Sequence, residues 1–136
     1  MSVVENVIRR EEDGTISFGN YLLEQKTKVS DFENAGDIYK VKTFKEITKV
    51  EKNEMFVYES VPGTAVNHLK EFADGMEFQV EGEQDAQITV GLEGDKVYMI
   101  ELNGEKIGTM KTNLSGKLSV NVELEPGKTV SVKIVK

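Results

Sequence analysis

His68 is the sole histidine of this chain, and no cysteine is present. A nucleophilic site needs a base held beside a serine, threonine or cysteine, and the chain has no Gly-x-Ser-x-Gly elbow to present one. His68 therefore reads as a half-buried strand residue. Glu81, Glu83 and Asp85 stand at i, i+2 and i+4 within Glu81-Gly82-Glu83-Gln84-Asp85. Hard cations such as Ca²⁺ take several oxygen ligands, so these three are the weak metal candidates. The spacing is not that of an EF-hand, and no bidentate glutamate follows at the right distance. A solvated loop is expected, with no metal and no cofactor. Lys40, Lys42, Lys45, Lys49 and Lys52, interleaved with Tyr39 and Phe44, have the composition of a strand face for nucleic acid. Asp37, Glu46, Glu51 and Glu54 nearly neutralise that stretch, so exposed lysines protecting a sheet edge are the expectation. Phosphate-binding loops of the Gly-x-Gly-x-x-Gly or Gly-x4-Gly-Lys-Ser/Thr type are absent. A glycosidase carboxylate pair is set in space rather than in sequence, and 24 acids leave many combinations. The lack of tryptophan removes the usual sugar platform, so the acids read as solvated.

The elements that must position these groups are mostly strands. Alternation of apolar and polar residues marks 78–80, 88–92, 118–124 and 130–134. Turn signals separate them at Asp74-Gly75, Gly94-Asp95, Asn103-Gly104, Ser115-Gly116 and Pro126-Gly127. Asn103-Gly104 predicts a two-residue type I′ hairpin pairing Leu102 with Glu105, Glu101 with Lys106 and Ile100 with Ile107. Keeping one face apolar around Pro126-Gly127 predicts a last hairpin pairing Leu124 with Val130, Val122 with Val132 and Val120 with Ile134. In the first half, strands are predicted over 15–21, 37–44, 46–52 and 54–60, and 66–72 is read as a strand before the Asp74-Gly75 turn. Ser2-Val3-Val4-Glu5 fits a capping box, and Val3, Val4, Val7 and Ile8 fall on one stripe, which predicts a short N-terminal helix.

Eight of the ten aromatics precede Asp74-Gly75, whereas the alternating positions beyond it hold Val, Ile and Leu. This predicts two differently built cores: an aromatic-rich β unit over 1–61 and an antiparallel β-sandwich over 62–136. The class is mainly β, with the second part an immunoglobulin-like sandwich. At 136 residues and a net charge of −7, with no apolar run near membrane-spanning length, the chain is an acidic globular domain. That balance argues against nucleic acid or an anionic membrane as the main partner. No secretory signal is read, and the absence of cysteine fits a reducing, cytoplasmic setting.

Three stretches resemble a family of small uncharacterised proteins of anaerobic Gram-positive bacteria, often labelled "endosialidase". They are Asp13-Gly14-Thr15-Ile16-Ser17-Phe18-Gly19-Asn20-Tyr21, the pair of runs Tyr39 through Lys49 and Met55 through Val66, and Met110 through Val120. The resemblance covers nearly the whole chain. The second half alone is also similar to immunoglobulin-like β-sandwich modules appended to carbohydrate-active and surface proteins. The label implies a sialidase, and the residues argue against that activity. Sialidase-type sites hold the sugar carboxylate with three arginines, and this chain has two, Arg9 and Arg10, whose adjacency keeps them from facing one ligand. Asp-box repeats end in tryptophan, and a β-propeller needs a longer chain.

These readings converge on a non-enzymatic structural or protein-interaction module that self-associates. The expected assembly is a homo-oligomer, most simply a dimer, with Val3, Val4, Val7 and Ile8 at the contact. The size argument is that about 60 residues bury little surface alone, yet eight large rings precede Asp74-Gly75. The alternative is a carbohydrate-binding module of the β-sandwich type, whose discriminating feature is an exposed aromatic platform, with only Phe78 and Tyr98 to supply it.

Overall fold

A computed structural model describes residues 3–136 and builds thirteen strands among them, with no helix. In chain order these are β1 (Ile8–Arg10), β2 (Ile16–Phe18), β3 (Thr27–Asn34), β4 (Asp37–Phe44), β5 (Ile47–Lys52), β6 (Met55–Val61), β7 (Ala65–Phe72), β8 (Gly75–Glu81), β9 (Ala86–Gly91), β10 (Val97–Leu102), β11 (Glu105–Lys111), β12 (Lys117–Val122) and β13 (Val130–Val135). They form two antiparallel sheets. The larger runs β1-β2-β7-β8-β13-β10-β11 and the smaller runs β12-β9-β6-β5-β4-β3.

Period-two alternation puts one face of each sheet inward, and the inner faces close on a single core. Phe18 from the larger sheet meets Tyr58 from the smaller edge-to-face at 5.3 Å, and Tyr58 meets Phe78 of the larger sheet at 5.6 Å. The architecture is a β-sandwich. Its polar seam is a chain of buried hydroxyls. Tyr58 shares a hydrogen bond with Thr64 at 2.8 Å, as does Ser60, while Thr48 donates to the Thr64 carbonyl at 2.8 Å. Thr43 lies 2.8 Å from Thr48 and accepts from the Asn20 amide at 3.0 Å. The seam ties the β6–β7 crossover and the Asn20 segment after β2 to the smaller sheet.

Several expectations are corrected. The N-terminal stripe is no helix: Ser2 lies outside the described residues, and Val7 has a left-handed φ of 74°. Apart from one turn bond, Val7 N–H to the Val4 carbonyl at 2.9 Å, the backbone bonds there run to a neighbour, Val4 N–H donating to the Gly19 carbonyl at 3.0 Å and Gly19 N–H to the Val7 carbonyl at 2.8 Å. A helical stripe and a turn feeding an edge strand can bury the same side chains, so spacing alone did not separate them. The expected division at 61/62 falls between β6 and β7. Strands from both sides share both sheets, β2 pairing β7 and β6 pairing β9, around one core.

The last hairpin is not formed. β12 pairs β9 in the smaller sheet, whereas β13 lies between β8 and β10 in the larger one. Leu118, Val120, Val122, Val132 and Ile134 are nevertheless all buried in the core. Apolar faces that oppose each other across a sandwich carry the same alternation as faces that pair in one sheet. The Asn103-Gly104 turn is present, with φ of 52° and 81°, and Leu102 pairs Glu105 and Glu101 pairs Lys106. A bulge then shifts Ile100 onto Gly108 rather than Ile107, leaving Ile107 50% exposed. Truncating Val122, 2% exposed, to alanine is expected to cost about 1–3 kcal/mol, read as a lowered denaturant midpoint. An unchanged midpoint would contradict its place in the core.

Candidate functional site

The outer faces of the two sheets carry different charge patterns, and register determines both. On the larger sheet Lys70 pairs Glu77, Glu77 pairs Lys133, Lys133 pairs Glu101 and Glu101 pairs Lys106. Opposite charges thus alternate across five strands, which is the favourable cross-strand arrangement. On the smaller sheet Lys28 pairs Lys42 and Lys42 pairs Lys49. Three lysines thus stand at directly opposed positions on β3, β4 and β5, which is the unfavourable arrangement. Lys40 lies two residues from Lys42 on the same face of β4, and Lys26 lies just before β3 with its ammonium 5.8 Å over the Phe44 ring.

Repulsion within this row is visible in its centre. The neighbouring ammonium of Lys26, with burial and then Lys28, Lys49 and Lys40, lowers the affinity of Lys42 for its proton. Relief is partial. Glu51 reaches Lys40 and Lys49 at 3.9 Å each, and Glu59 is the cross-strand partner of Lys49. Five lysines therefore meet Glu51 and Glu59, with Asp31 beside Lys40 and Glu33 opposite Ile38 at the far end of β3, on a chain whose net charge is −7. Replacing Lys42 with glutamine is expected to stabilise the fold by about 0.5 kcal/mol at low salt, fading as salt screens the row. A lowered melting temperature would contradict the repulsion.

This face differs from the one that the lysine spacing suggested. Lys40, Lys42 and Lys49 belong to it. Lys45 turns away to Glu24 at 2.8 Å, Lys52 pairs Glu71 at 2.9 Å, and Tyr39 is 6% exposed. Asp37, which helped to neutralise the stretch on paper, accepts from Asn53 at 2.9 Å instead. Lys26 and Lys28 arrive from β3, a strand that the sequence reading did not predict.

His68 organises a second polar cluster on the larger sheet. The β7–β2 and β7–β8 registers shift around it, and its φ is 56°, a conformation that costs a non-glycine residue about 1–3 kcal/mol. Its amide donates to Ser17 Oγ at 3.1 Å, and Ser17 Oγ donates to Glu11. Arg9 donates to Glu11 at 2.9 Å and to Asn67 at 3.2 Å. Hydrogen bonds from Ser17 first, then Arg9, hold Glu11 below the usual carboxylate range, and the Thr15 hydroxyl and amide do the same for Asp13. His68 Nδ1 lies 3.4 Å from Asp13 Oδ2 and 3.2 Å from Thr15 Oγ1. Hydroxyl and carboxylate meet the same ring nitrogen. A nucleophile–base–acid relay needs them on opposite nitrogens, so this trio is not assembled as a triad. Beside it lies a cleft of about 410 Å³, lined by the alternating charges of the larger sheet.

The other sequence candidates separate in space. Glu81 is 4% exposed, while Glu83 and Asp85 are exposed on the connection between sheets, and Asp85 accepts from the Leu124 amide at 3.0 Å. Among the described residues no three His, Cys, Asp or Glu side chains come together as metal ligands. Millimolar Ca²⁺ is expected to leave the melting temperature unchanged, and a rise of several degrees, lost on replacing Glu83 and Asp85 with alanine, would overturn this. Val4, Val7 and Ile8 are at most 4% exposed within the chain's own fold, and Val3 is half-buried. The rings that motivated a second chain are accommodated internally: Phe18, Tyr21, Tyr39 and Tyr58 are buried, and Phe32, Phe44, Phe56 and Phe72 half-buried. Arg9 and Arg10 diverge, Arg10 donating to the Glu33 carbonyl at 2.6 Å with its guanidinium over Phe32. Phe78 and Tyr98 are each 2% exposed.

No family model, curated protein or solved structure matches this chain. The functional reading therefore rests on its own residues.

Proposed function

We propose that this chain is a non-enzymatic interaction module whose contact surface is the lysine face of the smaller sheet. The observation that carries the reading is the row Lys28, Lys42 and Lys49, three like charges directly opposed across neighbouring strands. Such a row works against the fold that holds it, and the same molecule alternates its charges on the other sheet. An anionic partner turns the repulsion into attraction. The divergent arginines and the placement of Thr15 and Asp13 on one nitrogen of His68 support the non-enzymatic part. The buried Phe78 and Tyr98 leave the carbohydrate alternative without its ring platform. The immunoglobulin-like likeness is carried by two-layer antiparallel packing. In strand order the module differs, since β13 sits between β8 and β10. The cysteine-free composition supports a cytoplasmic setting.

The reading is tested on a sulfonate resin at neutral pH and low ionic strength. A chain of net charge −7 is repelled by such a resin unless one face is locally basic. The wild type is expected to be retained, and a Lys28→Gln/Lys42→Gln/Lys49→Gln variant to flow through. A wild type that flows through would contradict the reading.

A further inference from the structure

Resting on that reading, we infer that the occupant of the lysine face is an extended acidic polypeptide segment laid along β3 and β4. Pitch and the groups absent from this face point to that occupant. Lys40 and Lys42 are two residues apart on β4, about 6.8 Å along the strand, with Lys28 of β3 opposite Lys42 and Lys26 just before β3. An extended acidic segment with alternating carboxylates repeats at the same ~6.8 Å on its facing side. Each carboxylate then meets an ammonium without strain in either backbone. The neighbouring strand lies about 4.8 Å away, close enough for one carboxylate to sit between Lys28 and Lys42, or Lys42 and Lys49.

Other polyanions fit less well. Single-stranded nucleic acid adds base stacking to charge, and needs open aromatic faces. The two rings on this face are half-buried and each already carries an ammonium, Lys26 at 5.8 Å over Phe44 and Lys117 at 4.7 Å over Phe56. Half-buried rings that already hold an ammonium are poor platforms for a sugar. The row contains no arginine, so it offers point charges rather than the forked donors that grip phosphate or sulfate bidentately. Alternating carboxylates on a strand-like backbone ask for nothing more.

The experiment compares fluorescent probes of equal charge by anisotropy at about 0.15 M salt, where weak surface attraction is screened. The probes are an alternating Glu-Ser peptide, a single-stranded oligonucleotide and a dextran sulfate fragment. The peptide is expected to bind tightest, and the triple Lys→Gln variant to lose roughly tenfold in affinity, the sum of three modest exposed contacts. An oligonucleotide or dextran sulfate that binds as tightly as the peptide, and still loses affinity in the variant, would overturn the inference and leave the interaction face standing. Equal binding of every probe to wild type and variant would overturn both. Light scattering identifies the source of the segment. The segment belongs to another protein: a concentrated wild type is expected to stay monomeric while binding the peptide, and self-association abolished in the variant would overturn that assignment.

Discussion

Gly75→Ala is expected to unfold this protein or to lower its stability by about 3 kcal/mol or more. Gly75 opens β8, pairing Phe72 on one side and Val135 on the other. A Cβ at this position would lie 1.9 Å from the Ile134 carbonyl oxygen and 2.9 Å from Val135 Cα. Both are main-chain atoms of the neighbouring strand, so relief requires moving the β8–β13 ladder. That ladder sits in the middle of the larger sheet, with the core beneath it. Gly82→Ala is the comparison: its Cβ would first meet the tip of the flexible Leu124 side chain at 3.2 Å. Denaturant midpoints should fall far more for Gly75→Ala than for Gly82→Ala. Equal midpoints would show that the strands are not packed this closely.

Tyr58→Ala is expected to cost about 3–5 kcal/mol. The ring is fully buried, touches Phe18 and Phe78 edge-to-face, and so bridges the two sheets. Tyr58→Phe keeps that packing and removes only the hydroxyl shared with Thr64, at a cost of about 1 kcal/mol. The pair also has a pH signature. Burial pushes the Tyr58 phenol above its ordinary value, with the hydrogen bonds to Thr64 and Ser60 opposing in part. The folded chain then keeps a proton that the unfolded chain releases above pH about 10. The resulting contribution is complete below that pH and is lost as pH climbs toward the folded value. Stability should fall on the alkaline side, less steeply in Tyr58→Phe, with a residue from Tyr21 and Tyr39, which burial also raises. Identical alkaline slopes would argue against a buried phenol.

Local signals in the sequence suffice where local physics decides. Asn103-Gly104 demands positive φ at both positions, and its hairpin is present. Asp37–Phe44 alternates cleanly and forms β4 with those bounds. Signals failed where two long-range arrangements share one pattern. Val120 and Ile134 look alike whether they pair within a sheet or oppose each other across the core. β3, Thr-Lys-Val-Ser-Asp-Phe-Glu-Asn, has two apolar residues in eight and a bulge at Asp31 that breaks their alternation, so no periodicity announced it. The candidate face was lost with that strand. Without β3, Lys26 and Lys28 have no place beside Lys42, and the remaining lysines balance nearby acids that the fold turns elsewhere. His68 was placed on a strand, but its partners Asp13, Thr15 and Ser17 stand more than fifty residues away and form no motif with it.

The central claim is that the lysine row is kept for a partner at a cost to the fold. Quantitative capture from the native cell tests it most directly, using the wild type and the Lys28→Gln/Lys42→Gln/Lys49→Gln variant side by side, with melting temperatures recorded on the same samples. The account predicts a strongly acidic polypeptide enriched on the wild type and lost on a variant that melts no lower. The same proteins held equally by both, or a variant that melts markedly lower, would contradict it.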